Sequence, residues 1–517
     1  MTRQKADDLV VPEGDRKAVQ TRASGGGKGV TDSEETQQPG LPFATAEAPR
    51  KRGAGAKNLA DRSARKPAPR PKASGKDGKV ASATMEEVVE RLHQAFDKVA
   101  SNKGAPGPDR KTIDVVRKHL DEVVRVAGGA LLGGTFMPGD IRRVFIPKSG
   151  GGERGLGIPN VVDRMVQEAV REVLEPVYEP TFHPSSHGFR PGRGCQTAIA
   201  AARQHVGEGY GWVVDLDLEK FFDQVSHQRL MSRLAQRVED KRLLVLIGRM
   251  LKAQVVLPDG VKVSTDEGVP QGGPLSPLLS NIVLDELDQE LEQRGHRFVR
   301  YADDCNIYVR SEKAGQRVMA SVSSFISGRL RLKVNASKSA VARPETRHFL
   351  GYRLRLTPEG ETEVLLSERS EKRLRDRVIE LTPRKWGQSL RDCIRAINAY
   401  FGGWFGHFGI CTPGVERVAH QTDAHIRRRL RAIVLRHWGT KQTIARRLVR
   451  LGTKRKTAWQ RVYEGRKSTW KLSQDPAVHR GLRNVYFTER GLVYLEDRFR
   501  SAWAAIAAPQ QLAMPWG

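Results

Sequence analysis

Tyr301-Ala302-Asp303-Asp304 sets two adjacent carboxylates between two β-like runs, Arg297–Tyr301 and residues 305–309. In the second run Cys305, Ile307 and Val309 alternate with Asn306, Tyr308 and Arg310, the period of a half-buried strand. A hairpin of this form carries both carboxylates to its tip, where they repel unless a cation lies between them. Asp is also a common turn residue, so an ordinary turn and a metal site compete at this point.

Working upstream, residues 212–217 alternate too, with Trp212, Val214 and Leu216 on one face and Val213, Asp215 and Asp217 on the other. Buried carboxylates need partners, so Asp215 and Asp217 are candidates for the other half of the Asp303–Asp304 site. Gly268-Val269-Pro270-Gln271-Gly272-Gly273-Pro274 is a rigid loop that opens a helix with Leu279, Val283, Leu287 and Leu291 on one face. Past the hairpin, residues 312–330 read as helix, followed by Asn335-Ala336-Ser337-Lys338-Ser339 and Phe349-Leu350-Gly351. Residues 141–147 read as a strand and Lys148 to Gly155 as a glycine-rich hairpin tip. Lys148 and Arg154 flank that tip, suited to phosphate or simply solvated.

With 517 residues the chain exceeds one compact core, and more than one domain is expected. Lys and Arg number 88 against 59 Asp and Glu, a net charge of +29. A surplus that large is self-repulsive unless a polyanion neutralises it, which points to nucleic acid first and an anionic membrane surface second. Mean hydropathy is −0.51. No run approaches the ~20 apolar residues of a membrane helix, and Met1-Thr2-Arg3-Gln4-Lys5 leads into polar sequence, so a soluble, cytoplasmic protein without a membrane partner is expected. The cysteines, Cys195, Cys305, Cys393 and Cys411, are scattered with no C-x-x-C pair, so free thiols are expected rather than zinc or disulfides.

Residues 1–80 are rich in Gly, Pro, Ser, Lys and Arg and read as a disordered basic extension, either a nucleic-acid tether or a solubilising tail. Folded sequence begins at Thr84, whose capping box opens a stripe of Met85, Val88, Val89, Leu92, Phe96 and Val99. Residues 163–178 read as helix, and an aromatic, Arg-rich loop follows at residues 185–194. From about residue 370 the pattern is helical. Leu390, Ile394, Ile397, Phe401, Trp404 and Phe408 form one stripe, interrupted by Gly402-Gly403. A helix at 424–438 carries Arg427, Arg428, Arg429, Arg431 and Arg436, and beyond it Lys454-Arg455-Lys456, Trp459, Tyr463, Arg466, Lys467, Trp470 and Lys471 interleave charge with aromatic rings. That mixture suits a surface gripping phosphates and bases, although a solvated helical face has the same composition.

The motifs occur in the order of a template-directed polymerase palm, and the chain from about Thr84 to Leu495 resembles a group II intron reverse transcriptase/maturase. The resemblance rests on residues 102–109, Ile146-Pro147-Lys148 with Arg154, Gly188-Phe189-Arg190-Pro191-Gly192-Arg193, residues 217–223, Pro270-Gln271-Gly272-Gly273, Tyr301-Ala302-Asp303-Asp304, residues 335–339 and Phe349-Leu350-Gly351. Asn398-Ala399-Tyr400-Phe401-Gly402-Gly403-Trp404 resembles the maturase, or X, signature. The resemblance implies an α+β right-hand polymerase with fingers and palm at 81–365, an α-helical thumb/maturase (X) domain at 366–505 and a tail at 506–517. It implies an RNA-directed DNA polymerase using two Mg²⁺ ions, with Mn²⁺ as a substitute. Asp217, Asp303 and Asp304 are then the metal ligands, with the neighbouring Leu218 as a further contact.

By the same resemblance Lys148 and Arg154 meet the incoming triphosphate, Phe222 lies beneath the sugar and disfavours a 2′-hydroxyl, and Gln271 and Gly272 floor the templating pair. Lys338 either protonates pyrophosphate or pairs with a phosphate. Arg190, Arg193, Arg427, Arg428 and Arg431 are the candidate RNA contacts. Expected partners are group II intron RNA, an RNA template with a DNA primer, dNTPs and target DNA, in a bacterial cytoplasm. Alternatives within reach of the sequence are a reverse transcriptase used in defence or repair and an RNA-folding maturase with little polymerase activity. Two departures stand out. No paired Cys and His cluster of a C-terminal endonuclease is present, so target cleavage is not expected, and Arg110 replaces the usual family glycine.

Overall fold

The computed structural model describes residues 83–147, 152–383, 387, 389–465 and 467–507. The expected N-terminal extension up to residue 82, Lys148 with Gly150 and Gly151, Arg466 and the tail from residue 508 lie outside the described residues. In chain order the strands are β1 (Ile141–Pro147), β2 (Glu153–Ile158), β3 (Trp212–Leu216), β4 (Val255–Val256), β5 (Lys262–Val263), β6 (Arg297–Tyr301), β7 (Asp304–Val309), β8 (Ala340–Ala342), β9 (Tyr352–Leu356) and β10 (Thr362–Leu366). They form three sheets among the described residues, ordered β2-β1-β4-β5, β6-β7-β3-β8 and β10-β9. The antiparallel, helix-backed β6-β7-β3-β8 sheet gives the α+β palm that the sequence predicted.

Thr84 caps the helix Met85–Glu90 with the reciprocal capping box anticipated at Glu87, and the chain re-enters helix at Leu92–Ser101. The apolar stripe at Met85, Val88, Leu92, Phe96 and Val99 is buried. It packs on the largely buried helix Val161–Tyr178. The Gly402-Gly403 pair does not interrupt Leu390–Phe408, because both glycines are on its solvent side while Phe401 and Trp404 face inward.

The half-buried reading of the hairpin is corrected: β7 is buried on both faces. Cys305, Ile307 and Val309 join Val214 and Leu216 in one core. Tyr308, Val213 and Tyr301 join a second core with Phe349, Tyr352, Ile397, Phe401 and Trp404. The second face is covered by the helix Cys195–Gly207, in a core shared with elements from Phe349 onward. Packing therefore runs without a gap from the palm through β9 and β10 into the C-terminal helices across the boundary expected at residue 366.

Arg110 has a φ of +58°, the left-handed conformation that glycine adopts freely, at the end of a turn closed by its own N–H to the Gly107 carbonyl. That geometry accounts for the glycine usual at this position.

Candidate active site

β3 and β7 pair antiparallel with Leu216 opposite Cys305. Continuing that register one step sets Asp217, just past β3, across from Asp304, the first residue of β7. β6 meets β7 at the pair Tyr301 and Asp304, which leaves Ala302-Asp303 as a two-residue tip. Ala302 takes a left-handed φ of +55° and Asp303 is buried, 3% exposed. The topology thus brings the three predicted carboxylates to one end of one sheet.

Asp217 is wrapped by the segment that carries Lys338. Its backbone N–H donates to Ser339 Oγ at 3.1 Å, and its carbonyl accepts from the Asn335 N–H at 2.8 Å. Lys338 Nζ lies 3.7 Å from Asp217 Oδ2 and is itself largely exposed. Leu218 bridges Val334, but the hydrogen bonds of that bridge belong to its neighbours, Glu219 N–H to the Lys333 carbonyl and Asn335 N–H to the Asp217 carbonyl. The Leu218 carbonyl is therefore turned away from that partner, as in any non-hydrogen-bonded antiparallel pair. Asp215 does not join the site. It accepts two bonds from Arg347, at 2.9 and 2.6 Å, and although burial pushes its carboxyl up, Arg347 opposes that rise.

The hairpin tip faces a cleft of about 510 Å³ whose lining includes Asp303, Phe222, Gln271, Gly272, Arg154 and Arg193. Phe222 rests edge-on against Phe221 at 5.3 Å, and its carbonyl accepts from the Val269 N–H at 2.6 Å, tying the two loops together. The Gln271 carbonyl accepts from the Gly157 N–H at 2.6 Å, so the loop leans on β2. Gly272 has φ +129°, and a Cβ there would stand 2.1 Å from the Gly157 carbonyl oxygen. Only glycine fits this approach.

Hard carboxylate and carbonyl oxygens are the donor chemistry that Mg²⁺ prefers. Among the described residues, however, no three His, Cys, Asp or Glu side chains converge as a ready metal cluster. The donor set fits a hard cation whose shell is completed by substrate phosphate oxygens and water, rather than an all-protein cage.

The arginine assignments divide. Arg190, 4% exposed, donates to both Glu179 oxygens and to the His183 and Ser186 carbonyls. Arg431, 7% exposed, donates to the Leu482 carbonyl at 3.0 Å, and burial pulls its guanidinium down to about 10. Both are turned into the protein, where backbone carbonyls need a donor. Arg428 stacks over Trp470 at 3.8 Å and Arg427 over Tyr494 at 5.4 Å. Arg193 donates to the Pro184 carbonyl.

Sequence reasoning missed a buried ion pair beside the tip. Arg300 is fully buried and pairs with Asp288, also fully buried. Burial disfavours its charge, but Asp288 more than offsets this and the guanidinium is held above its ordinary range. A charged residue inside an apolar strand was the available signal.

Residues 146–354 match the family model for reverse transcriptase (RNA-dependent DNA polymerase), which defines the class: an RNA-directed DNA polymerase, a nucleotidyltransferase. Residues 371–452 match the maturase-specific domain of group II introns. Protein YkfC of Escherichia coli (strain K12) is 34% identical over 306 residues, covering 51% of this chain and 80% of its own length. The group II intron-encoded protein LtrA of Lactococcus lactis subsp. cremoris is 29% identical over 354 residues, 53% of this chain and 58% of its own. A putative COX1/OXI3 intron 2 protein of Saccharomyces cerevisiae is 28% identical over 395 residues, 64% of this chain and 45% of its own. The chain belongs to the group II intron-encoded reverse transcriptase/maturase family. A solved Cas6-RT-Cas1–Cas2 complex aligns over 47% of the chain and 42% of its own at 26% identity, with a TM-score of 0.32. Among the described residues no helix is long and apolar enough to cross a membrane.

Proposed function

We propose that this protein extends a DNA primer on an RNA template, and that its helical C-terminal part binds group II intron RNA to assist splicing and mobility, with target DNA as a further partner. The observation that supports this reading most is the β3–β7 register, which puts Asp217 opposite Asp304 with Asp303 at the tip, beside a cleft carrying Phe222 and Gln271. Two divalent ions bound there would supply charge stabilisation to the primer 3′-oxygen and to the leaving pyrophosphate.

The protein's own part is to hold and orient. Asp217, Asp303 and Asp304, with the Leu218 carbonyl, offer the oxygens. Lys338, beside Asp217, neutralises phosphate, and Arg154 in the cleft wall does the same for the incoming triphosphate. Gln271 and Gly272 keep the loop low enough for a base pair to lie between it and the hairpin. Phe222 presents a ring where a ribose 2′-hydroxyl would stand, so dNTPs are preferred.

RNA binding by the C-terminal helices is supported by partly exposed aromatic and basic chemistry. Trp459 and Tyr463 stack at 5.6 Å with an interplanar angle of 12°, and Lys441 Nζ lies 5.6 Å above the Tyr463 ring. Such a platform, flanked by Lys454, Arg455 and Lys456, suits stacked bases and a phosphate backbone.

The test is extension of a DNA primer annealed to RNA, with dNTPs and NTPs compared for wild type and Phe222→Ala. The reading expects dNTP incorporation by wild type and a loss of sugar discrimination in the variant. No extension by wild type would refute the activity, and unchanged discrimination would remove Phe222 from its role.

A further inference from the structure

Arg300 has five N–H donors, and the structure gives each an acceptor. Nε and Nη2 make a paired contact with Asp288 at 2.7 and 2.6 Å, on the helix Ser276–Gln293. Nη2 also donates to Ser186 Oγ at 2.7 Å. Nη1 donates to Asn281 Oδ1 at 3.1 Å and to the Ala302 carbonyl at 2.8 Å. The backbone repeats the connection: Arg300 N–H donates to the Ser185 carbonyl and His187 N–H to the Arg300 carbonyl, both at 2.8 Å. Asn281 Nδ2 in turn donates to the Gly188 carbonyl at 2.9 Å.

Three chain segments therefore meet on one fully buried guanidinium, and one of its arms ends on the residue next to Asp303. Ala302 is the left-handed residue of the tip, a conformation that persists only where its surroundings over-determine it. Gly188 packs directly on the tip backbone, since a Cβ there would stand 2.3 Å from the Ala302 nitrogen. Buried ion pairs are poor stabilisers compared with apolar side chains of the same volume.

We propose that Arg300 is a positioning residue that, with Asp288, Ser186 and Asn281 around its guanidinium and Gly188 packed on the tip backbone, fixes the Ala302-Asp303 tip in the geometry that nucleotide addition requires. The role rests on the polymerase reading above. It links the loop at residues 185–188 and the helix after the Pro270–Gly273 loop to the reacting end of the hairpin. The 185–188 loop is thus part of the active-site scaffold, apart from any contact that Arg193, further along the chain, makes with RNA.

The test uses the full chain and two variants. Arg300→Met with Asp288→Leu replaces the pair by apolar side chains of similar volume, avoiding an uncompensated buried charge. Gly188→Ala leaves the pair intact and crowds the tip. Each is measured for thermal unfolding, for affinity to a primed RNA template, for single-turnover dNTP incorporation with its dNTP dependence, and for hydrogen exchange across residues 297–309. The expected result is a folded protein with template affinity and dNTP half-saturation within about twofold of wild type. Its maximal rate should be lower by about tenfold or more, as misplacement of reacting groups costs, with faster exchange at residues 301–304.

Folded variants that exchange and incorporate as wild type does would overturn the positioning role. So would a loss confined to template affinity or dNTP half-saturation. If the double variant does not fold, Gly188→Ala decides alone. Asp303→Asn separates the two levels: normal extension by it would bring down the polymerase site itself, whereas its failure beside wild-type rates in the positioning variants would bring down only this inference.

Discussion

Gly272→Ala puts a single methyl where the Pro270–Gly273 loop leans on β2. The added Cβ would start 2.1 Å from the Gly157 carbonyl oxygen, so the loop and strand would need to part by about 1 Å to reach the shortest contact that real Cβ atoms tolerate, 3.0 Å. That movement stretches the 2.6 Å bond from Gly157 N–H to the Gln271 carbonyl beyond useful length. The lost bond costs about 1 kcal/mol. Holding a side chain at φ +129° costs about 1–3 kcal/mol more. The sum, about 2–4 kcal/mol, should appear as a Tm lower by several degrees. The larger effect should be on rate, because a 1 Å misplacement at a reacting site costs up to about a hundredfold. Single-nucleotide incorporation at saturating dNTP, read beside a melting curve, measures both. A variant with wild-type Tm and rate would show that the loop is not pressed against β2 and would undo the reasoning that assigns Gln271 and Gly272 to the substrate floor.

Two further outcomes follow from the same structure. His187, 5% exposed, is pulled down to about 4 by burial and then by Arg193, Arg190 and Arg300. A folded value below the ordinary 6.5 means that its contribution is complete above pH 6.5 and is lost as pH falls through about 4. His187→Asn should therefore flatten the fall in unfolding free energy between pH 7 and 4.5 by about 2 kcal/mol in urea titrations, and an unchanged profile would contradict this. In the C-terminal helices, replacing Lys454, Arg455 and Lys456 together by Gln should lower the slope of log affinity against log salt by about 2; an unaltered slope would assign these residues to a solvated face.

Elements whose apolar residues repeat at a fixed period were legible without the fold. Thr84 with Glu87, β1 and the stripe from Leu390 to Phe408 all stand where their patterns put them. So did the β6–β7 hairpin, because Asp303 and Asp304 interrupt two apolar runs. Burial of the second face of β7 was not legible, since Tyr308 is covered by His205, about a hundred residues upstream, in a core shared with β9, β10 and the helices after them. Nor could the chain reveal which arginines of 427–431 face inward. Consecutive helical positions are about 100° apart, so Arg427, Arg428, Arg429 and Arg431 cannot share one face. Arg429 and Arg431 are buried on backbone carbonyls, while Arg427 and Arg428 lie over aromatic rings. Asp215 had the same strand face as Asp217, yet its partner, Arg347, is 132 residues away in sequence. Periodicity carries no information about such a pairing.

The central claim is that the β6–β7 tip holds the reacting end of a polymerase. Single-nucleotide incorporation by Asp303→Asn on a primed RNA template, with template affinity measured on the same preparation, tests it most directly. The account predicts retained affinity and a rate lower by about a hundredfold or more, the loss typical when one preorganised electrostatic group is removed. Incorporation at the wild-type rate would contradict it.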